Sequence, residues 1–146
     1  MNMLQKFDLL LHATVFRLDS LFRLIPRIVI GGVFIPAGWS KLQSMAKTID
    51  FFNGLGIPLP SIVAPVTSLA ELTFGFFVFV GFYTRVSTVP LLMIMAGAVM
   101  TAHQSEFNDF NSLLTLEPAL YFVILICTLS LGAGRFSVEQ IFSRKR

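Results

Sequence analysis

Apolar residues run along the chain in four blocks, about Leu21 to Leu42, Ser61 to Tyr83, Val86 to Ala102 and Pro118 to Gly134. Each is close to the roughly 20 residues a helix needs to cross about 30 Å of hydrocarbon, so the pattern predicts an all-α membrane protein, a four-transmembrane-helix bundle. The first block is the least uniform. Arg23 and Arg27 lie in its opening turns and Lys41 at its end, and Gly31, Gly32, Pro36 and Gly38 interrupt it. Membrane helices tolerate such residues where neighbouring helices satisfy the freed backbone. Ahead of this block, Leu4, Phe7, Leu11, Val15 or Phe16, Leu18 and Phe22 recur at steps of three and four with charged residues between them. That spacing predicts an amphipathic interfacial helix over 1–20 on the inner leaflet. Asp8 breaks its apolar run and no small-residue cleavage site follows, which is unlike a cleavable signal peptide.

Between the first two blocks, Met45, Ile49 and Phe52 stand at helical spacing ahead of Gly54, Gly56, Pro58 and Pro60. The expectation is a short interfacial helix followed by a turn, inside an outer loop over 43–60. A second outer loop covers 103–117, and 135–146 form a basic tail. The whole of 1–146 reads as a single membrane domain.

Composition sharpens this picture. Of 146 residues, 55% are hydrophobic and 13% charged, against about 25% charged in a soluble domain, which excludes both a wetted globular surface and a disordered chain. The one cysteine, Cys127, excludes an internal disulfide and a two-thiol redox pair, and in mid-span it reads as an inert core residue. A net charge of +3 raises the question of nucleic acid, but the placement of the charges answers it. Lys6, Arg17, Arg23, Arg27, Arg85, Arg135, Arg144, Lys145 and Arg146 all fall on the side of the termini, leaving Lys41 and Lys47 on the other. Basic residues stay in the cytoplasm, so the sequence predicts both termini cytoplasmic, an integral inner-membrane location in a bacterium, and no nucleic-acid partner.

Glu71 stands out as candidate chemistry, because it lies near the middle of the second block with apolar neighbours on both sides. A carboxylate at that depth is costly unless paired, protonated or facing water. Matching the first two blocks by depth puts Val33 level with Glu71, with Arg27 about 9 Å to one side along the axis and Lys41 about 12 Å to the other. Arg27 is the favoured partner and Lys41 the alternative. Glu71 thus reads either as a proton-carrying, quinol-contacting carboxylate or as one half of an ion pair that sets helix register. His103, with Glu106 and Asp109, offers too few ligands for a metal, and His12 is assigned to the opposite face, so no metal or haem of the chain's own is expected. Trp39, Phe52, His103 and Phe107 are candidates for the mouth of a ligand site, interface anchoring being the simpler account of the aromatics. Ala96, Gly97, Ala98 and Ala102 give the third block a small-residue face for close helix packing.

Taken in order, Arg27, Gly31, Gly32, Phe34, Gly38 and Lys41-Leu42, then Phe52, Gly56-Ile57-Pro58 and Pro60, then Glu71, Gly75, Gly81 and Thr84-Arg85, and finally the run from Gly132 to Glu139 resemble the DoxX family of small four-span membrane proteins. Ala133 and Glu139 stand where the family's usual ending has Pro and Asp. The resemblance implies a membrane subunit associated with redox enzymes, such as quinol oxidase, thiosulfate:quinone oxidoreductase or complexes that protect against oxidants. It carries Glu71, Arg27, Lys41 and Arg85 over as polar positions and assigns no catalytic residue. Three readings follow: a quinone-associated redox subunit whose partner supplies the electron-transfer cofactor, a non-enzymatic adaptor holding soluble oxidoreductases at the inner leaflet, and a small-molecule or ion carrier. A homo-oligomer is compatible with all three.

Overall fold

The computed structural model describes residues 3–102, 117–134 and 137–143, with side chains described from residue 21 to 101, 117 to 134 and 137 to 140. Among these residues the chain is helical with no strand. Six helices follow in order: α1 (Met3–Gln43), α2 (Met45–Gly54), α3 (Pro60–Val80), α4 (Thr84–Ala102), α5 (Glu117–Leu131) and α6 (Val138–Ser143). Three of them have apolar stretches long enough to cross a membrane, Leu21–Gln43, Pro60–Val80 and Thr84–Thr101, and Glu117–Leu131 is a shorter apolar helix. The protein is an all-α membrane protein.

The α1 helix packs most closely on α3 and α4 on α5, and contacts between α3 and α4 and between α1 and α5 close the ring. A layer of buried residues joins all four: Ile30 and Phe34 from α1, Val78 from α3, Leu91 from α4 and Leu125 from α5. Phe34 meets Tyr121 edge to face, with ring centroids 6.3 Å apart. Outside this layer the surface is apolar, with Ile25, Val66, Phe76, Val86 and Val123 exposed as suits contact with lipid tails.

Glycines set how the first two spans meet. A Cβ at Gly38 would lie 2.6 Å from Leu72 N and 2.7 Å from Ser68 O, one at Gly75 would lie 2.9 Å from Phe34 Cβ, and one at Gly31 would run into Phe79. Only hydrogen at these points lets the two antiparallel backbones approach so closely. The contacts fix the register, setting the turn from Gly38 to Lys41 level with Glu71.

Several expectations change in detail. Residues 3–20 are helical, but they continue into the first span as one helix instead of forming a separate element. The short helix predicted after the first span is present as α2. It leaves α1 at Ser44, and the Thr48 hydroxyl donates back to Lys41 O and Ser44 O at 3.3 and 3.1 Å. Its chain then turns through Gly56 at φ 70 and Leu59 at φ 53 into Pro60, whose fixed φ suits a first helical position. Part of the basic tail is helical, as α6. Cys127 is exposed on the outer face of α5, not in the core. The small-residue face of α4 does not receive a helix at Gly97, where an added Cβ would meet nothing within 4 Å.

Candidate functional site

Two polar clusters lie at different levels of the bundle, one at an end and one nearer its middle. At the end where α3 and α5 finish, Arg27 is buried, with 2% of its surface exposed. Its Nε donates to Val78 O at 2.9 Å, its Nη2 to Phe79 O at 2.9 Å and its Nη1 to Ala133 O at 2.6 Å. The last carbonyls of a helix have no partner within it and carry the negative end of its dipole, so a guanidinium fork there answers both needs. Arg23 donates to Leu131 O, and Arg85 reaches Ser130 O at 3.4 Å. Gly81 makes room for this arrangement. At φ 75 it closes α3, with Phe82 N donating to Phe77 O at 2.8 Å, and a Cβ there would collide with the Arg27 guanidinium and Ser137. Gly134, Ser137 and Glu139 lie against this hub: Ser137 Oγ donates to Gly134 O at 2.9 Å, and Glu139 N to Gly81 O at 3.2 Å.

In the other cluster, midway along α3, Glu71 is 1% exposed. Lys41 Nζ donates to both of its carboxylate oxygens, at 2.5 Å and 2.7 Å. The partner of Glu71 is therefore Lys41, not the favoured Arg27. Depth matching misled here because it set Val33 level with Glu71, whereas the glycine contacts slide α1 so that Lys41 arrives there. Gly31, Gly38 and Gly75 are the sequence signal for this slide, because they mark where the two helices approach most closely.

This ion pair forms part of the wall of a cavity of about 370 Å³. Phe51 and Phe52 of α2 with Leu55 just after it line one side, Thr67 and Glu71 of α3 the back, and Met93, Ile94, Met95, Gly97, Ala98 and Thr101 of α4 the other side. Met93 is 70% exposed, so the cavity opens at the outer surface of the bundle. Of the mouth candidates, Phe52 lines it, while Trp39 is 56% exposed on α1 and does not. His103 and Phe107 lie outside the described residues. Thr67, Met93, Met95 and Thr101 do not stand out in the sequence, and Gly97 stands out only as part of a packing face, since small and apolar residues in a span carry no sign of whether a neighbour fills the space beside them.

The arrangement can hold a molecule that is mostly apolar with one polar end. Its volume falls within the roughly 300 to 1,000 Å³ of small-molecule sites, and a few polar groups in an apolar wall are their usual composition. Among the described residues no three His, Cys, Asp or Glu side chains converge as a metal site would require.

Comparisons with known proteins place these residues in context. The chain is 40% identical over 78 residues to "Putative oxidoreductase CatD" of Bacillus subtilis (strain 168), covering 53% of this chain and 57% of that protein. It is 27% identical over 132 residues to Inner membrane protein YqjF of Escherichia coli (strain K12), covering 88% of this chain and 98% of that one. Inner membrane protein YphA of the same organism is 28% identical over 80 residues, covering 55% and 57%. The matched part thus spans little more than half of CatD and YphA and nearly all of YqjF. No solved structure matches. The family model described as DoxX matches residues 22–104, which include both ends of the α1–α3 seam, the Lys41–Glu71 pair and the cavity-lining part of α4, and the chain belongs to the DoxX family.

Proposed function

We propose that the protein is the membrane subunit of a redox complex, and that its cavity receives the ring of an isoprenoid quinone or quinol. The observation that carries this reading is the Lys41–Glu71 pair in the wall of a mostly apolar cavity that opens towards lipid. An isoprenoid tail can remain among the acyl chains while the ring enters beside Met93. Phe51 and Phe52 supply an aromatic wall for it, and Met93 and Met95 an adaptable one. A bound quinone couple supplies the two-electron chemistry, and its electrons pass to or from a cofactor held by a partner. The chain's own part is to orient the ring and to exchange protons at Glu71, with Lys41 steadying the carboxylate's charge. The oxidoreductase description of CatD supports this class of activity.

In the same reading the arginine end faces the cytoplasm of a bacterial inner membrane, with both termini on that side. Nine of eleven basic residues support that orientation. A cysteine placed at the exposed Ser44 in a Cys127→Ser background should react with an impermeant probe from outside the cell.

A native mass spectrum of gently solubilised protein tests the function. The expected result is a mass increment equal to one prenylated quinone or quinol, lost in a Gly97→Leu variant whose added side chain occupies the cavity. An empty bundle that carries soluble oxidoreductases with it would overturn the reading in favour of a membrane adaptor.

A further inference from the structure

The hydrogen-bonding groups in the cavity wall are unequal in kind, and the inequality bears on which form of a ligand fits. Lys41 has three N–H groups, of which two are directed to the oxygens of Glu71, leaving one for a ligand. On the accepting side each Glu71 oxygen keeps a lone pair. Thr67 Oγ1 already donates within its own helix, with Val63 O and Ala64 O at 2.8 and 3.0 Å, so it presents only lone pairs to the cavity. Thr101 Oγ1 is committed in the same way, to Gly97 O at 2.8 Å. One donor therefore faces four accepting oxygens. Glu71 and Thr67 stand four residues apart on α3, on one helical face, so one ligand oxygen near Lys41 can reach an acceptor from that face.

Resting on the quinone reading above, we propose that the site recognises a ring hydroxyl, and hence takes the reduced quinol in preference to the quinone. A quinone carbonyl can only accept, so it can satisfy Lys41 but leaves Thr67 Oγ1, whose own proton is committed to its helix, without a donor. A hydroxyl accepts from Lys41 and donates to Thr67 in the same pose. Groups left unpaired on desolvation weaken binding, which is how a site built for a hydroxyl rejects an analogue without one.

The test uses the full chain in lipid nanodiscs and three probes with the same decyl tail: a para-hydroquinone kept reduced under nitrogen, the matching quinone, and the dimethyl ether of the hydroquinone. Binding is measured by equilibrium dialysis against protein-free discs, which corrects for partition into lipid. The hydroquinone should bind about tenfold or more tightly than either of the others. Thr67→Val, which keeps shape and loses the acceptor, should narrow that preference by weakening hydroquinone binding while leaving quinone binding unchanged, with circular dichroism confirming the fold. Quinone binding as tight as hydroquinone binding would overturn this inference and leave the quinone-site reading standing. A full preference in Thr67→Val would also overturn it. If none of the three binds, both fall together.

Discussion

The two polar clusters of the bundle use buried charge in opposite ways. At the arginine end, Arg27 donates to the backbone carbonyls of Val78, Phe79 and Ala133, and a side chain at Gly81 would collide with its guanidinium. Beside the cavity, Lys41 and Glu71 satisfy each other and still border open volume. A charge packed by backbone holds helices together, and a charge that borders a cavity is available to a visitor. The difference teaches that burial alone does not identify a functional ionisable group in a membrane span. What lies beside the charge decides.

The comparison can be broken first at Arg27. Arg27→Leu strips a charge-assisted donor from three carbonyls, each worth about 1 to 3 kcal/mol, and should cost about 3 kcal/mol or more of stability. Unfolding in mixed detergent micelles would report it, and a stability unchanged to within 1 kcal/mol would show that the hub does not hold the ends of α3 and α5. Next in size is Gly38→Val, where the added carbons meet backbone atoms of Ser68 and Leu72 that cannot swing aside. A loss of about 2 to 3 kcal/mol is expected, as for overpacked cores.

The third comparison is a double-mutant cycle on the ion pair. Breaking a fully buried pair costs about 3 to 5 kcal/mol, but the Lys41 side chain is 35% exposed, which screens it, so Glu71→Leu should cost less, about 1 to 3 kcal/mol. The double replacement Lys41→Leu, Glu71→Leu should restore most of that, and simple additivity would show that the two are not coupled. Smallest of all is the folding effect of Gly97→Leu, expected within about 0.5 kcal/mol of wild type because no neighbour stands at that point. Its predicted consequence is confined to ligand retention.

How far the sequence reaches depends on whether a property is local. The spans, the α2 helix and the turn through Gly56 to Pro60 are written in runs of neighbouring residues, and the pattern predicts them. Glu71 is legible as well, since a lone carboxylate among apolar residues contrasts with its surroundings. The identity of its partner is not local. It depends on how far α1 slides along α3, which Gly31, Gly38 and Gly75 decide through contacts some forty residues apart in sequence. Depth matching of two hydrophobic blocks is coarser than the two turns of helix that separate a level near Val33 from one near Lys41. The face of Cys127 is hidden for a similar reason. An apolar α5 gives almost no contrast between lipid and core, so only the packing of α4 and α1 reveals which side is outward. The small residues of α4 are visible in sequence, but they are equally consistent with a close neighbour and with an empty space.

Gly97 has a further consequence. The volume of the cavity is set in part by a side chain that is missing, at a position where an added Cβ would meet nothing within 4 Å. Size and shape of the site can therefore change by single substitutions there without any penalty in folding, while the glycine seam and the arginine hub stay as they are. A scaffold divided in this way is free to diversify: one bundle can be retuned to ligands of different girth by drift at a position that stability does not police.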